Sequence, residues 1–455
     1  MADYDVVIVG AGGAGLVAAL TASDQGASVL LVESEEIVGG SSRLSGGIIY
    51  AANTSVQRAA GVEDSVEDAY DYYMTLNQWR LEPALVRRLC EGGSEVVDWL
   101  ISLGVEFKPE ALYASGVESV PRGHSPTGSG AAIVEALDQA RKAKGIDVAL
   151  QTRVDKLLIE NGTVKGIASG EQELTAGAVV LTTGGFGRNP AFLAEFYPDA
   201  NVAGNWVWYI GADGSRGDGI KLGRAVGAAT MGHNRGLLLT TPGFFKGELE
   251  VYFPGWLVYV NRYGRRFVDE MAAYAVMSGV IKEQGGVAWA VMDEAARLQA
   301  EPPGTPHSWT GDVIRQMADS GRIARADTLP ELAERAGIEG PALETTIANY
   351  NENVGRSEDP TFFKDPSVMR TVSQPPFYAV ELRPAVVALT AFGLRIDRDA
   401  QVLDEAERRI PGLFAAGEAT GGVLGDHYIG GGNSYANCMV FGRIAGASAA
   451  LAAAR

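Results

Sequence analysis

Apolar positions along the chain follow two rhythms. Short continuous runs occur at Asp5-Val6-Val7-Ile8-Val9, Ser28-Val29-Leu30-Leu31-Val32, Ala178-Val179-Val180-Leu181-Thr182-Thr183 and 410–416, with little polar alternation. Runs of this kind fit strands covered on both faces, as in a parallel sheet. Between them, helical spacing holds over 16–23, 67–76, 82–103 and 130–144. Segments 148–156 and 163–168 read as strands around the turn dipeptide Asn161-Gly162, 109–127 as a loop, and Phe392 to Asp397 as a strand. Strands alternating with helices predict an α/β fold with a Rossmann-like sheet. From about 236 the texture changes to aromatics and polar helices, and it changes back near 386. The expectation is a discontinuous domain over 1–235 and 386–455, interrupted by an inserted α+β cap over 236–385.

Glycine supplies the first chemistry. The run Gly10-Ala11-Gly12-Gly13-Ala14-Gly15 sits between the first strand and the first helix. Gly10 permits a tight turn, Gly12 lets the backbone approach a pyrophosphate, and Gly15 lets helix and strand pack closely. The second strand ends in Glu33, where a carboxylate can accept a ribose diol. Strand, turn, helix and acid at this spacing point to an adenosine dinucleotide.

Three further blocks narrow the dinucleotide: Gly39-Gly40-Ser41-Ser42-Arg43-Leu44-Ser45-Gly46-Gly47, Thr183-Gly184-Gly185-Phe186, and Ala416-Gly417-Glu418-Ala419. Together they resemble the flavoprotein superfamily of fumarate reductase, the succinate dehydrogenase flavoprotein and the 3-ketosteroid dehydrogenases, across most of the chain. The resemblance implies FAD, held by Gly10, Gly12, Ala14, Gly15, Glu33, Gly40, Ser41, Ser42, Ser45, Gly46, Gly47, Val154, Thr183, Gly184, Gly185, Asp218, Gly417, Glu418, Asn433 and Ser434. None of the four histidines lies within 40–47, where the succinate dehydrogenase type bonds its flavin, so the FAD is expected to be noncovalent.

The fumarate reductase branch uses a shuttle arginine a few residues after an Arg-Phe-x-Asn-Glu block, and a histidine and a second arginine that clamp carboxylates. Here the block reads Arg266-Phe267-Val268-Asp269-Glu270, with Tyr274 at the shuttle position. Tyr428 and Gly432 stand near the terminal Gly-Gly-Asn, and Val386 to Leu389 replace the histidine segment. Dicarboxylate reduction is therefore not expected. The 3-ketosteroid dehydrogenase branch is the better resemblance: it implies that Tyr428 and the Gly432 N–H hold a ketone oxygen while Tyr274 removes the neighbouring proton, with Tyr113 as a further tyrosine. Two donors on a developing enolate contribute roughly 3 kcal/mol each. An unperturbed phenol has a pKa of about 10, so a basic Tyr274 needs a cation or hydroxyl beside it; Arg265 and Arg266 are the near cations in sequence. His427 is expected to be structural or second to the site, and His124, in His124-Ser125-Pro126-Thr127-Gly128, matches a family loop near the flavin and is expected to be positional. Trp206, Trp208, Phe244, Phe245, Tyr252, Phe253 and Trp256 are candidates to line an apolar ring pocket. The expected reaction is desaturation of a cyclic ketone, a 3-ketosteroid or a smaller ring, with an ene-reductase acting on an enone or enoate as the alternative.

Composition bounds the partners. The chain has 455 residues, enough for two domains, and a formal net charge of -18 that disfavours nucleic acid and anionic membranes. Cys90 and Cys438 are far apart in sequence and form no metal motif. No leader pattern and no apolar stretch of spanning length stand out, the run 444–453 being short, so a cytoplasmic enzyme without stable membrane insertion is expected. No second GxGxxG follows a strand, so electrons are expected to leave to an external acceptor.

Overall fold

In the computed structural model, residues 2–115, 118–245, 247, 252–302 and 305–454 are described. The first strand, β1 (Tyr4–Val9), pairs in parallel with β2 (Val29–Val32) on one side and with Gln172–Leu181 on the other. Across this sheet the order runs Gln401–Leu403, Arg409–Ala415, Gln172–Leu181, β1, β2, Asp147–Ala149. Val6, Val7, Ile8, Val179 and Val180 are fully buried, which is why these strands carry no alternation. The helix α1 (Gly13–Asp24) follows the glycine turn and packs along Asn433–Ala453 at a close approach. A methyl on Gly442 would stand 2.7 Å from the Ala14 carbonyl, and one on Gly446 would collide with that of Ala18.

The chain divides into two compact units, residues 1–198, 211–237 and 388–455, and residues 199–210 and 238–387. Residues 199–210 thus group with the inserted part. In that second unit, Ala288–Asp293 pairs antiparallel with both Val258–Val260 and Phe377–Thr390. One apolar cluster gathers Trp309, Trp256, Phe244 and Tyr259, and another gathers Tyr350, Leu343 and Ile347.

Four local expectations change. The hairpin at Asn161-Gly162 joins Lys156–Glu160 to Thr163–Ser169, while Asp147–Ala149 is a separate parallel strand beside β2. The stretch 109–127 contains strand residues: Phe107–Tyr113 and Gly123–Pro126 pair with each other, and the latter with Ile49–Tyr50. That pairing is nonlocal, so short-range periodicity could not reveal it. The expected strand Phe392 to Asp397 contracts to Gly393–Leu394. The last helix begins at Asn433, not 444, and its 21 residues with mean hydropathy 1.3 do reach the length and composition of a membrane span. Its spanning window is 56% buried within the protein, against α1 and Pro83–Ser102 among others. A buried core helix is apolar all round for the same reason a membrane helix is.

Candidate functional site

The cofactor cradle is built in the first unit. Gly10 (φ +102) lies against the Thr182 carbonyl, and a methyl on Gly15 would collide with the Gly10 carbonyl, so neither tolerates a side chain. Gly12 differs: a methyl there would meet only the Gly39 carbonyl, at 4.0 Å. The open side of the turn is thus at the residue whose bareness a pyrophosphate needs, beside N–H groups at the N-terminus of α1. Ser42 Oγ accepts from the Gly13 N–H at 3.2 Å, and Ser41 Oγ accepts from the Ala212 N–H at 3.0 Å. Ser45 holds its own loop, its hydroxyl donating to the Ser42 carbonyl at 2.8 Å and accepting from the Gly47 N–H at 3.2 Å. Gly40 sits 3.6 Å from Gly12 by the same methyl measure, and Gly46 next to Ile48.

Glu33 is buried and accepts the Ala11 N–H at 2.7 Å on Oε2 and the Glu35 N–H at 2.9 Å on Oε1. The Thr152 N–H donates to the Glu33 carbonyl at 2.8 Å, which brings buried Val154 to the same sheet edge. Arg153 next to it pairs with Asp218 at 3.0 Å, an ion pair that sequence spacing did not reveal. Thr183 Oγ1 accepts the Gly219 N–H at 2.9 Å, fixing the start of Asp218–Ala225. Gly184 and Gly417 have φ of +69 and +72, and a methyl on Gly185 would collide with Thr390 Oγ1 and with the Glu418 carboxylate. That carboxylate accepts from the Thr390 N–H and hydroxyl, both at 2.8 Å, and burial raises its pKa. An open glycine turn, a strand-end carboxylate and a second, braced carboxylate fit FAD.

Tyr428 and Gly432 also lie in the first unit. Three successive left-handed glycines, Gly430, Gly431 and Gly432, lead into Asn433–Ala453. A methyl on Gly430 would collide with Ser115 Oγ, and one on Gly432 with the Ile48 carbonyl. First-turn N–H groups of a helix lack intrahelical acceptors, so Gly432 and its successors present donors there. The Tyr428 hydroxyl meets Ser434 Oγ at 3.2 Å, and burial lifts its pKa, leaving a neutral phenol able to donate. Ser434, expected at the cofactor, thus also holds Tyr428, and the Asn433 side chain turns inward to the Tyr73 hydroxyl at 2.9 Å. Tyr113 ends its strand opposite Gly123, with its ring 2.7 Å from where a Gly123 methyl would be; Gly123 Cα lies 3.9 Å from a methyl on Gly431. The structure therefore brings the Tyr113 strand to the turn that carries Gly432.

His124 is fully buried: its Nδ1 faces the Arg122 and Ile49 carbonyls at 2.9 and 3.2 Å, and its Nε2 faces Thr54 Oγ1 at 2.8 Å. Carbonyls only accept, so Nδ1 carries the proton and Nε2 accepts from Thr54; burial lowers the pKa. Both ring nitrogens are thus engaged within the fold. His427 faces Asp426 at 3.2 Å.

In the second unit Tyr274 opens the helix Tyr274–Glu283. Arg266 is committed elsewhere: it binds Glu270 through two 2.9 Å bonds and Asp359 at 2.9 Å, beneath Tyr350 and Phe362. Arg265 is exposed. Of the aromatic set, Phe244 and Trp256 are core and Tyr252 is exposed, so no single pocket collects all seven.

Fold and cradle define an FAD-binding oxidoreductase. The chain belongs to the family described as FAD binding domain, matched over residues 5–435, within the fumarate reductase and succinate dehydrogenase flavoprotein superfamily. It is 34% identical to the fumarate reductase (cytochrome) of Shewanella frigidimarina over 98% of this chain and 77% of that protein. It is 27% identical to the 3-oxosteroid 1-dehydrogenase of Mycobacterium tuberculosis, over 97% of each. The solved 3-ketosteroid-Δ4-(5α)-dehydrogenase of Rhodococcus jostii RHA1, with 4-androstene-3,17-dione, matches 98% of this chain and 96% of its own, at 26% identity and TM-score 0.81. The relatives are reductases and dehydrogenases acting on CH–CH groups.

Proposed function

We propose that the protein desaturates a cyclic ketone next to its carbonyl, a 3-ketosteroid or a smaller cyclohexanone-type ring, and passes the electrons to an external acceptor. The observation that carries this is the half-buried phenol of Tyr428, four residues before a left-handed glycine at the mouth of a helix. FAD, held noncovalently by the glycine turn, Glu33 and the Glu418 region, supplies the hydride acceptor. Tyr428 and the Gly432 N–H grip the ketone oxygen and stabilise the enolate as charge develops. Tyr274 removes the adjacent proton. With Arg266 bound to carboxylates, the group that sharpens Tyr274 as a base is another hydroxyl. We assign the enzyme to the cytoplasm.

A second reading is an ene-reductase on an enone or enoate, favoured by the higher identity to the fumarate reductase than to the steroid dehydrogenase. Anaerobic stopped-flow mixing separates the two. Bleaching of the flavin by saturated cyclic ketones supports the dehydrogenase. No bleaching by any ketone of a broad panel, with rapid reoxidation of reduced flavin by enones, replaces it with the reductase. Tyr428→Phe is expected to slow flavin reduction about 100-fold or more with FAD retained.

A further inference from the structure

Two phenols lie behind the glycine turn in the first unit, both fully buried: Tyr50 and Tyr73, edge to face with centroids 5.9 Å apart. The Tyr50 ring would stand 3.1 Å from a methyl on Gly431. The Tyr73 hydroxyl donates to the Val423 carbonyl at 3.0 Å and accepts from Asn433 Nδ2 at 2.9 Å. Val423 and Asn433 bracket the segment that carries Tyr428 and Gly432, so one hydroxyl ties both ends. At the end of the Tyr73 helix, the Asn77 carboxamide, donating to the Tyr73 carbonyl at 3.1 Å, packs where a methyl on Gly425 would collide, a steric contact on the same segment.

The segment needs tying. It contains Gly425 and the three left-handed glycines, and glycine gives the unconstrained chain more conformations than any other residue. Among the described residues, the Tyr428 hydroxyl is held by Ser434, through its side chain and its backbone N–H. A donor that must sit on an oxygen within a fraction of an ångström cannot rely on that neighbour alone.

We propose that Tyr73 is a positioning residue: through its hydroxyl it fixes the 423–433 segment, and so the angle at which Tyr428 meets the substrate oxygen. This rests on the reading of Tyr428 given under Proposed function. Tyr73 touches no substrate; it acts through Tyr428. Burial keeps it a neutral phenol, since desolvation raises its pKa, and it stays a donor across the working pH range.

The test is a double-variant comparison on the FAD-loaded full chain, reading single-turnover flavin reduction and the flavin spectrum. Tyr73→Phe is expected to slow reduction about tenfold with the spectrum of bound FAD unchanged. In a Tyr428→Phe background the same change is expected to cost nothing further, because the group it positions is gone. Wild-type reduction by Tyr73→Phe, or an equal loss in both backgrounds, overturns the inference while leaving the role of Tyr428 standing. Wild-type reduction by Tyr428→Phe overturns the underlying reading, and this inference with it. Should Tyr73→Phe not fold, Asn77→Ala loosens the same segment at Gly425 and replaces it in both backgrounds. A loss confined to the Tyr428 background then supports the inference, and an equal loss in both, or none, overturns it.

Discussion

Each unit contains a buried ionic cluster in which an arginine faces two carboxylates, and the two clusters are balanced differently. In the first unit, Arg122 bonds Asp64 at 2.6 and 2.9 Å and Glu118 at 2.8 Å, with the Tyr50 hydroxyl on the same Glu118 oxygen at 3.3 Å. One cation faces two carboxylates, and Glu118 Oε2 is buried without a hydrogen-bond partner among the described residues. In the second unit, Arg266 and the fully buried Lys364 face Glu270 and Asp359; Lys364 reaches Glu270 at 3.1 Å and donates to the Leu257 carbonyl at 2.7 Å. There the charges cancel. Burial lifts the Glu118 carboxyl above the usual glutamate range against the pull of Arg122. In Asp359 burial also opposes ionisation, yet the Arg266 bonds hold it below the usual range. A balanced buried cluster acts as a lock, whereas one with surplus negative charge strains against ionisation and tolerates a proton.

The largest expected effect that sharpens this contrast is Glu270→Ala, which leaves two cations facing one carboxylate and costs about 3–5 kcal/mol of stability. Calorimetry should show that loss largest at pH 5 and smaller at pH 8, since burial already lowers the Lys364 pKa and, with Glu270 gone, its ammonium can release the proton as pH rises. Arg122→Met removes the arginine that faces both carboxylates of its cluster and should cost a similar amount, about 3–5 kcal/mol, at pH 8. At pH 5 that loss should shrink, because the abandoned carboxylates can take up protons. If the two losses respond to pH alike, the proposed imbalance is wrong.

Glu118→Gln is the smallest effect. A carboxyl whose folded pKa is raised binds more protons folded than unfolded, so its contribution falls as pH rises from the ordinary glutamate value through the folded one. The variant should therefore match or exceed wild-type stability at neutral pH, within about 1 kcal/mol, and lose that decline. Asp359 has the opposite sign: its depressed pKa adds stability present above the ordinary aspartate range, lost as pH falls through the folded value. Asp359→Asn should accordingly flatten the acid limb of the melting profile.

The cofactor half is the more legible in the sequence, because its determinants are local. Gly10, Gly12, Gly15 and Glu33 follow one another within a single strand, turn, helix and strand, and Gly15 answers a steric demand set inside that run, by the Gly10 carbonyl. Tyr113 falls in a stretch that reads as loop, because its strand exists only by pairing with Gly123–Pro126. Ser434 reads only as a cofactor residue, because its contact with Tyr428 depends on how the glycine turn folds back. Arg266 looks available to Tyr274 in sequence, and it is Asp359, distant along the chain, that closes on it.

Sequence alone determined the class of fold and the dinucleotide turn, since backbone sterics and residue chemistry act over short distances. Tertiary structure alone decided which polar groups are spent on one another: Arg266 on its carboxylates, His124 on Thr54, Asn433 on Tyr73. Burial removes the water that would otherwise satisfy such groups, so their partners are set by whatever the packed chain brings within hydrogen-bond reach.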